Sequence, residues 1–198
     1  MQTMKELLRS SDPQKIAEVF LDGGIVIFPT DTVWGIGCIF DNSNAIKRLY
    51  QIKHRQSDKP TSLLIPNFSW LKKLALPINN KNISLLRKNW PGALTVVLTA
   101  DPNLNEQLFI SDNNEIGLRI PNHLPLLKVL KITNKPILGP SANFATFSPP
   151  KTFMELDSAL INLADAIFLS EDGYGIESTV VRLNDSNPEI IRSGAVKI

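Results

Sequence analysis

Polar residues in this chain collect at the ends of apolar runs. Thr30, Asp31 and Thr32 follow the run 25–28, Lys53 and Arg55 follow a helical pattern that closes at Ile52, and Arg119 lies at the end of the run 116–120. Ser141 and Asn143 come after Leu138 and Pro140, Ser178 and Thr179 open another apolar run, and Arg192 lies near the C-terminus. Hydroxyls, amides and cations of this kind bind and orient anionic groups; none is by itself an activated nucleophile. Polar groups that gather where strands emerge are the usual lining of an α/β ligand cleft. On an extended backbone the spacing of two between Lys53 and Arg55 turns both cations to one side, where they grip a polyphosphate. Each charge-assisted bond then contributes about 1.5–3 kcal/mol once water is excluded. The alternative is a pair of helix C-terminal cations complementing the helix dipole. Taken singly, Ser141 and Asn143 read equally as turn or cap residues, and Ser178 and Thr179 as a strand start.

Other machinery is missing from the sequence. It contains no G-x-x-x-x-G-K-[ST] loop and no G-x-G-x-x-G opening a helix, and His54 and His123 make no metal-binding spacing with Cys38. His123, between Pro121 and Pro125, reads as a surface loop residue. Cys38 sits in the apolar run 34–40, where a small buried residue fits better than a reactive thiol.

The elements that must position these residues follow from punctuation and periodicity. Asp12 or Ser11 before Pro13 predicts a helix start, with Ile16, Val19 and Phe20 as its apolar face and Gly23–Gly24 as its stop. A buried strand over 25–28, a polar break at 29–32 and a second extended run over 33–40 come next. Asn42 or Ser43 caps a helix through Ile52 whose face is Ile46, Leu49 and Tyr50. Further strands are expected over 62–65, 94–99, 116–120, 136–138, 166–169, 179–183 and 189–192, and helices around Trp70, Leu86, Leu127 and Leu160. Strands alternating with helices, several joined by connections too long for hairpins, predict an α/β fold with a mixed sheet. The Asp- and Asn-rich segment 101–114 is expected to be a long loop, either a lid or a surface excursion.

With 198 residues, 43% hydrophobic and 20% charged, the chain can fold as one sizeable domain over 1–198, and no repeat, low-complexity tract or linker divides it. No apolar block suggests a signal peptide or a membrane span, so a soluble, cytoplasmic protein is expected. A net charge of +2 is too small to imply nucleic acid, yet Lys47, Arg48, Lys53, Arg55 and Lys59 face only one acid, Asp58, between positions 47 and 59. That run is either a local positive patch or a solvated helix face.

Taken in order, the blocks resemble the YrdC family across nearly the whole chain. Residues 29–37 fit P-T-[DE]-T-x-[YW]-G-[LI]-G, 53–55 fit K-x-R, 140–143 fit P-S-A-N, 178–181 fit S-T-[VI]-[VI] and 192–194 fit R-x-G. The resemblance implies a YrdC-like twisted mixed sheet with flanking helices and a concave cleft. It also implies an activity: condensation of L-threonine, bicarbonate and ATP into threonylcarbamoyl-AMP, with release of pyrophosphate. Mg2+ would enter with ATP, and other proteins would move the activated group onto tRNA. By the same resemblance, Lys53, Arg55, Lys59, Ser141, Asn143, Ser148 and Arg192 bind ATP, whereas Thr30, Thr32, Arg119, Gly139 and Ser178 hold threonine, with Arg119 matched to its carboxylate. Gln56, Leu64, Ala145, Thr146 and Arg182 depart from the family pattern; Leu64 stands where some members carry a threonine-binding His. The chain ends soon after Gly194, as in the short, single-domain form of the family. Two other readings fit a basic concave face on this fold: a module that holds tRNA or double-stranded RNA without catalysis, and a domain that carries out other carbamoyl chemistry.

Overall fold

Asp12 caps the first helix by accepting from the Gln14 amide at 2.9 Å, and Pro13 supplies a residue that needs no amide partner at its first position. In the computed structural model, which describes residues 7–54, 61–104, 111, 113–145, 147–184 and 187–198, this helix is α1 (Pro13–Leu21). The other helices are α2 (Ser43–Ile52), α3 (Leu71–Leu74), α4 (Asn80–Asn89), α5 (Leu124–Thr133) and α6 (Ser158–Leu163). Asn42 caps α2 through the Ala45 amide at 3.0 Å, as its position ahead of the apolar periodicity predicts.

The strands are β1 (Leu8–Ser10), β2 (Val26–Phe28), β3 (Gly35–Ile39), β4 (Leu63–Leu64), β5 (Leu94–Thr99), β6 (Glu115–Arg119), β7 (Ile137–Leu138), β8 (Ala166–Phe168), β9 (Thr179–Arg182) and β10 (Glu189–Arg192). They form one sheet in the order β1-β8-β2-β3-β7-β4-β6-β5-β9-β10. Its ladders mix parallel pairs (β1/β8, β2/β8, β4/β6, β5/β9) with antiparallel ones (β2/β3, β3/β7, β4/β7, β5/β6, β9/β10). The α/β fold with a mixed sheet is as expected. The strand β1 lacks a sequence signal, because three residues with one exposed between two half-buried positions carry too little pattern.

Alternation along the strands divides the sheet into two faces. Ile25, Ile27, Ile36, Cys38, Leu63, Leu94, Val96, Leu98, Ile116, Leu118 and Val181 belong to one core, together with residues of α2, α3, α4 and α6. On the other face Val26, Phe28, Ile39, Ile137, Ala166 and Phe168 pack on α1 and α5 through Ile16, Phe20, Leu126, Val129 and Leu130. Those two helices cover one half of that face, and the half formed by β4, β6, β5 and β9 stays open. No helix among the described residues is long and apolar enough to cross a membrane.

Candidate functional site

A cleft of about 240 Å³ lies on the open half of the sheet. Its floor repeats with period two: Ser62 and Leu64, Thr95 and Val97, Glu115, Gly117 and Arg119, Ser178 and Val180. From the sequence, ligand groups are expected where strands end, as in an α/β ligand cleft. Here they spread across a sheet face, because α1 and α5 cover only its other half. Two turns complete the walls, one from Thr30 to Gly35 and one from Gly139 to Ser141.

The first turn is tied by its own hydroxyls. The Thr30 hydroxyl lies 2.8 Å from that of Thr32, donates to the Val33 carbonyl at 2.8 Å and accepts from the Thr32 amide at 3.0 Å. Thr30, Asp31 and Thr32 are all buried. Arg119 crosses behind them: one terminal nitrogen donates to Asp31 Oδ1 at 2.5 Å, the other to Thr32 Oγ1 at 2.9 Å, and Nε to the Gly92 carbonyl at 2.9 Å. Burial pushes the Arg119 pKa down from its ordinary value, and the Asp31 carboxylate opposes that shift. Three of the five guanidinium N–H groups are engaged by these contacts, and Arg119 also lines the cleft.

A second loop clamps this turn from outside. Tyr174 and Gly175 donate their amides to the carbonyls of Asp31 at 3.0 Å and Thr32 at 2.8 Å. Gly173 presses so close that a Cβ there would lie 2.6 Å from the Asp31 carbonyl carbon and nearer still to the Thr30 carbonyl oxygen. Asp172 accepts from Trp34 Nε1 at 2.6 Å and from the Phe153 amide at 3.0 Å. No motif in the sequence marks this loop as functional; its only signal is the turn-forming run Glu171-Asp172-Gly173-Tyr174-Gly175.

At the far wall the Ser178 hydroxyl lies 2.8 Å from that of Thr95 and accepts from Arg192 at 3.2 Å. Arg192 also donates to the Ser178 carbonyl at 2.9 Å and pairs with Glu177. Gly194 lets the chain lie against the 177–178 backbone, where a Cβ would collide with the Glu177 carbonyl. Arg182, at a position that departs from the family pattern, holds Glu115 through two nitrogens at 2.6 and 3.2 Å and also bonds Glu189 at 2.8 Å.

Thr30, Thr32, Arg119, Gly139, Ser141, Ser178 and Arg192 therefore converge as named from sequence. Leu64, in place of a polar side chain, forms an apolar part of the floor against Gly139. Asn143 lies beside the cleft: its side-chain oxygen accepts from Ser141 Oγ at 2.5 Å, and its amide nitrogen donates to the Phe144 and Phe147 carbonyls. Ser148 is exposed and does not line the cleft. Arg55, Gln56, Lys59 and Thr146 lie outside the described residues, as does part of the 101–114 loop.

Three expectations change. Lys53 does not stand on an extended backbone: it caps α2 in the right-handed helical region, and His54 follows with φ of 48°. Only 2% exposed, its ammonium donates to the Ser141 and Asn143 carbonyls, so the cation holds the turn from beneath instead of lining the cleft. His123 is not on the surface; it is 4% exposed and caps α5, because an imidazole nitrogen can accept the Leu126 amide as an Asn or Asp oxygen would. The basic run also loses charge: Lys47 and Arg48 are both exposed, but Arg48 is paired with Asp165 at 2.5 Å and bonds the Leu163 carbonyl at 3.0 Å. Cys38 is buried as expected, and burial raises its thiol pKa to about 12.

Over residues 18–194 the chain matches the Sua5/YciO/YrdC family model, described as "Telomere recombination". It is 32% identical over 195 residues to the threonylcarbamoyl-AMP synthase of Bacillus subtilis, covering 96% of this chain and 56% of that protein. Against the threonylcarbamoyl-AMP synthase of Pyrococcus abyssi the identity is 31% over 186 residues, with 93% and 54% covered. The chain thus spans about half the length of these curated relatives. Its fold superposes on the crystal structure of Pyrococcus abyssi Sua5 complexed with L-threonine with a TM-score of 0.86 at 29% identity, covering 97% of this chain and 58% of that one.

Proposed function

This chain belongs to the Sua5/YciO/YrdC family, and from that premise we propose that its cleft binds L-threonine and ATP and joins them with bicarbonate to give threonylcarbamoyl-AMP, pyrophosphate and water. The observation that carries this reading is the buried Arg119, held against Asp31 and Thr32 on the cleft lining, beside a row of hydroxyls from Thr30, Thr32, Thr95 and Ser178. A bidentate cation for a carboxylate and neighbouring hydroxyls for a small polar side chain are what a free hydroxy amino acid requires.

Threonine carbamate is short-lived in water, so the main tasks are to hold it dry and to align it with the α-phosphate. No dedicated nucleophile is needed. In this reading Ser141, on the turn that Lys53 supports, and Arg192, at the opposite wall, bind phosphate oxygens, and their position on the cleft lining supports it; Arg55 and Lys59 take the same role by resemblance to the family. Positive charge there stabilises pyrophosphate as it leaves. Among the described residues no three His, Cys, Asp or Glu side chains gather to hold a metal. A Mg2+ ion brought in by ATP and held by its phosphates and water would shield phosphate charge when bound. The product would pass, in the cytoplasm, to proteins that move the group onto tRNA.

The test is pyrophosphate release from ATP and magnesium by the purified chain, with threonine and bicarbonate each supplied or withheld. Release that requires both, with threonylcarbamoyl-AMP identified by mass, supports the proposal. Folded protein that releases none under any of these conditions overturns it.

A further inference from the structure

The segment after β6 grips the Thr30–Thr32 turn twice. Arg119 reaches its side chains, as described. Four residues on, His123 reaches the loop that clamps the same turn from outside. His123 Nδ1 accepts the Leu126 amide at 3.2 Å, so its proton is on Nε2, and Nε2 lies 3.3 Å from the Glu171 carbonyl oxygen. Glu171 begins the loop whose Tyr174 and Gly175 amides bond Asp31 and Thr32. From these contacts we propose that His123 is a positioning residue: as the neutral Nε2–H tautomer it anchors the 171–175 clamp and thereby sets the geometry of the Thr30–Thr32 subsite. It does not touch the ligand.

Only this protonation state can do both tasks. An imidazolium has no acceptor for the Leu126 amide: its Nε2–H can still donate to the Glu171 carbonyl, but protonation removes the α5 cap that fixes the ring's position and so loosens the anchor. The charged groups facing the ring are the Glu171 and Asp31 carboxylates. Burial is the largest influence and holds the His123 pKa below its ordinary value of 6.5, against the Glu171 carbonyl contact and the two carboxylates, which all favour protonation. Both contacts are therefore intact at neutral pH, and the Leu126 bond that fixes the ring is lost as the pH falls through that lowered pKa. The same His123 contact gives the clamp a pH dependence that neither Thr32 nor Arg119 supplies.

The inference rests on the threonine reading, but part of its test does not. His123→Asn keeps an oxygen that can cap α5, lacks the reach to Glu171 and does not titrate in this range; His123→Ala loses both contacts. The first measurement is hydrogen exchange of a peptide spanning 171–177 in ligand-free protein at pH 7.5. Faster exchange in both variants, about three- to tenfold for the loss of one hydrogen bond, is expected, and exchange at the wild-type rate in His123→Asn overturns the anchor. The second is L-threonine affinity by calorimetry between pH 5 and 8. Wild-type affinity should weaken on the acid side, whereas His123→Asn should bind about three- to tenfold more weakly at pH 7.5 and vary little with pH. Parallel pH profiles for the two proteins overturn the positioning role. If wild-type protein binds no threonine at any pH while the exchange result holds, the functional reading fails and the anchor stands.

Discussion

Removing the charge of Asp31 tests the reading of the cleft most directly. The Arg119–Asp31 pair has side-chain exposures of 6% and 2%. Water therefore screens it little, and each partner depends on the other. Breaking a buried pair from one side costs about 3–5 kcal/mol, because a charge is left uncompensated in the interior. Asp31→Asn keeps the shape and an acceptor for Arg119, and Thr32 and the Gly92 carbonyl remain, so the low end of that range, about 3 kcal/mol, is expected. For a chain of this size each kcal/mol shifts Tm by about 2–4 °C, so the variant should melt about 6–12 °C lower. Arg119→Met leaves Asp31 buried, with an Oδ2 that already has no hydrogen-bond partner, and should cost at least as much. In the double variant neither charge is stranded, and the loss should fall short of the sum by about 2 kcal/mol or more. Urea unfolding of the ligand-free proteins, followed by circular dichroism, gives all three values. Single variants within 1 kcal/mol of wild type, or a double variant that is simply additive, would refute the claim that this pair holds the cleft together.

Three further outcomes follow from particular contacts. Gly173→Ala puts a methyl group against the Thr30 and Asp31 backbone and should raise the Kd for threonine at least tenfold while the fold persists; unchanged calorimetric binding contradicts the clamp. Ser178→Ala removes the hydroxyl that meets Thr95 and Arg192 and should raise the KM for threonine more than it lowers kcat, as steady-state pyrophosphate release would measure. Cys38 should resist a thiol reagent at pH 8 until the protein unfolds. Its folded pKa of about 12 lies above the ordinary 9.0. The unfolded thiol therefore ionises first, and this group's contribution to stability falls as the pH rises above 9, by about 1.4 kcal/mol per unit until the folded thiol also ionises. Free-thiol labelling rates in the native protein would contradict the buried site.

Wherever local pattern was strong, the sequence alone determined the element. Asp12-Pro13 and Asn42 mark their helix starts, because caps are local hydrogen bonds. The runs 94–99 and 189–192 match β5 and β10, and periodicity and turn signals foresaw every strand of the sheet except β1. Seven of the residues named for ligand contact do line one cleft, because motif blocks fix residue types where backbone turns recur. Only the tertiary structure decided how far each side chain reaches. Lys53 has the composition of a phosphate ligand, yet it turns inward because α2 ends over two carbonyls that need a donor. His123 looks like a loop residue between prolines, yet it is buried because α5 needs a cap and the 171–175 loop closes over it. Asp172 and Gly173 give no sign of function in sequence; they act through Trp34 and Thr30, more than 130 residues away. A local pattern records what a residue can bond, whereas the fold decides which distant group is within 3 Å of it.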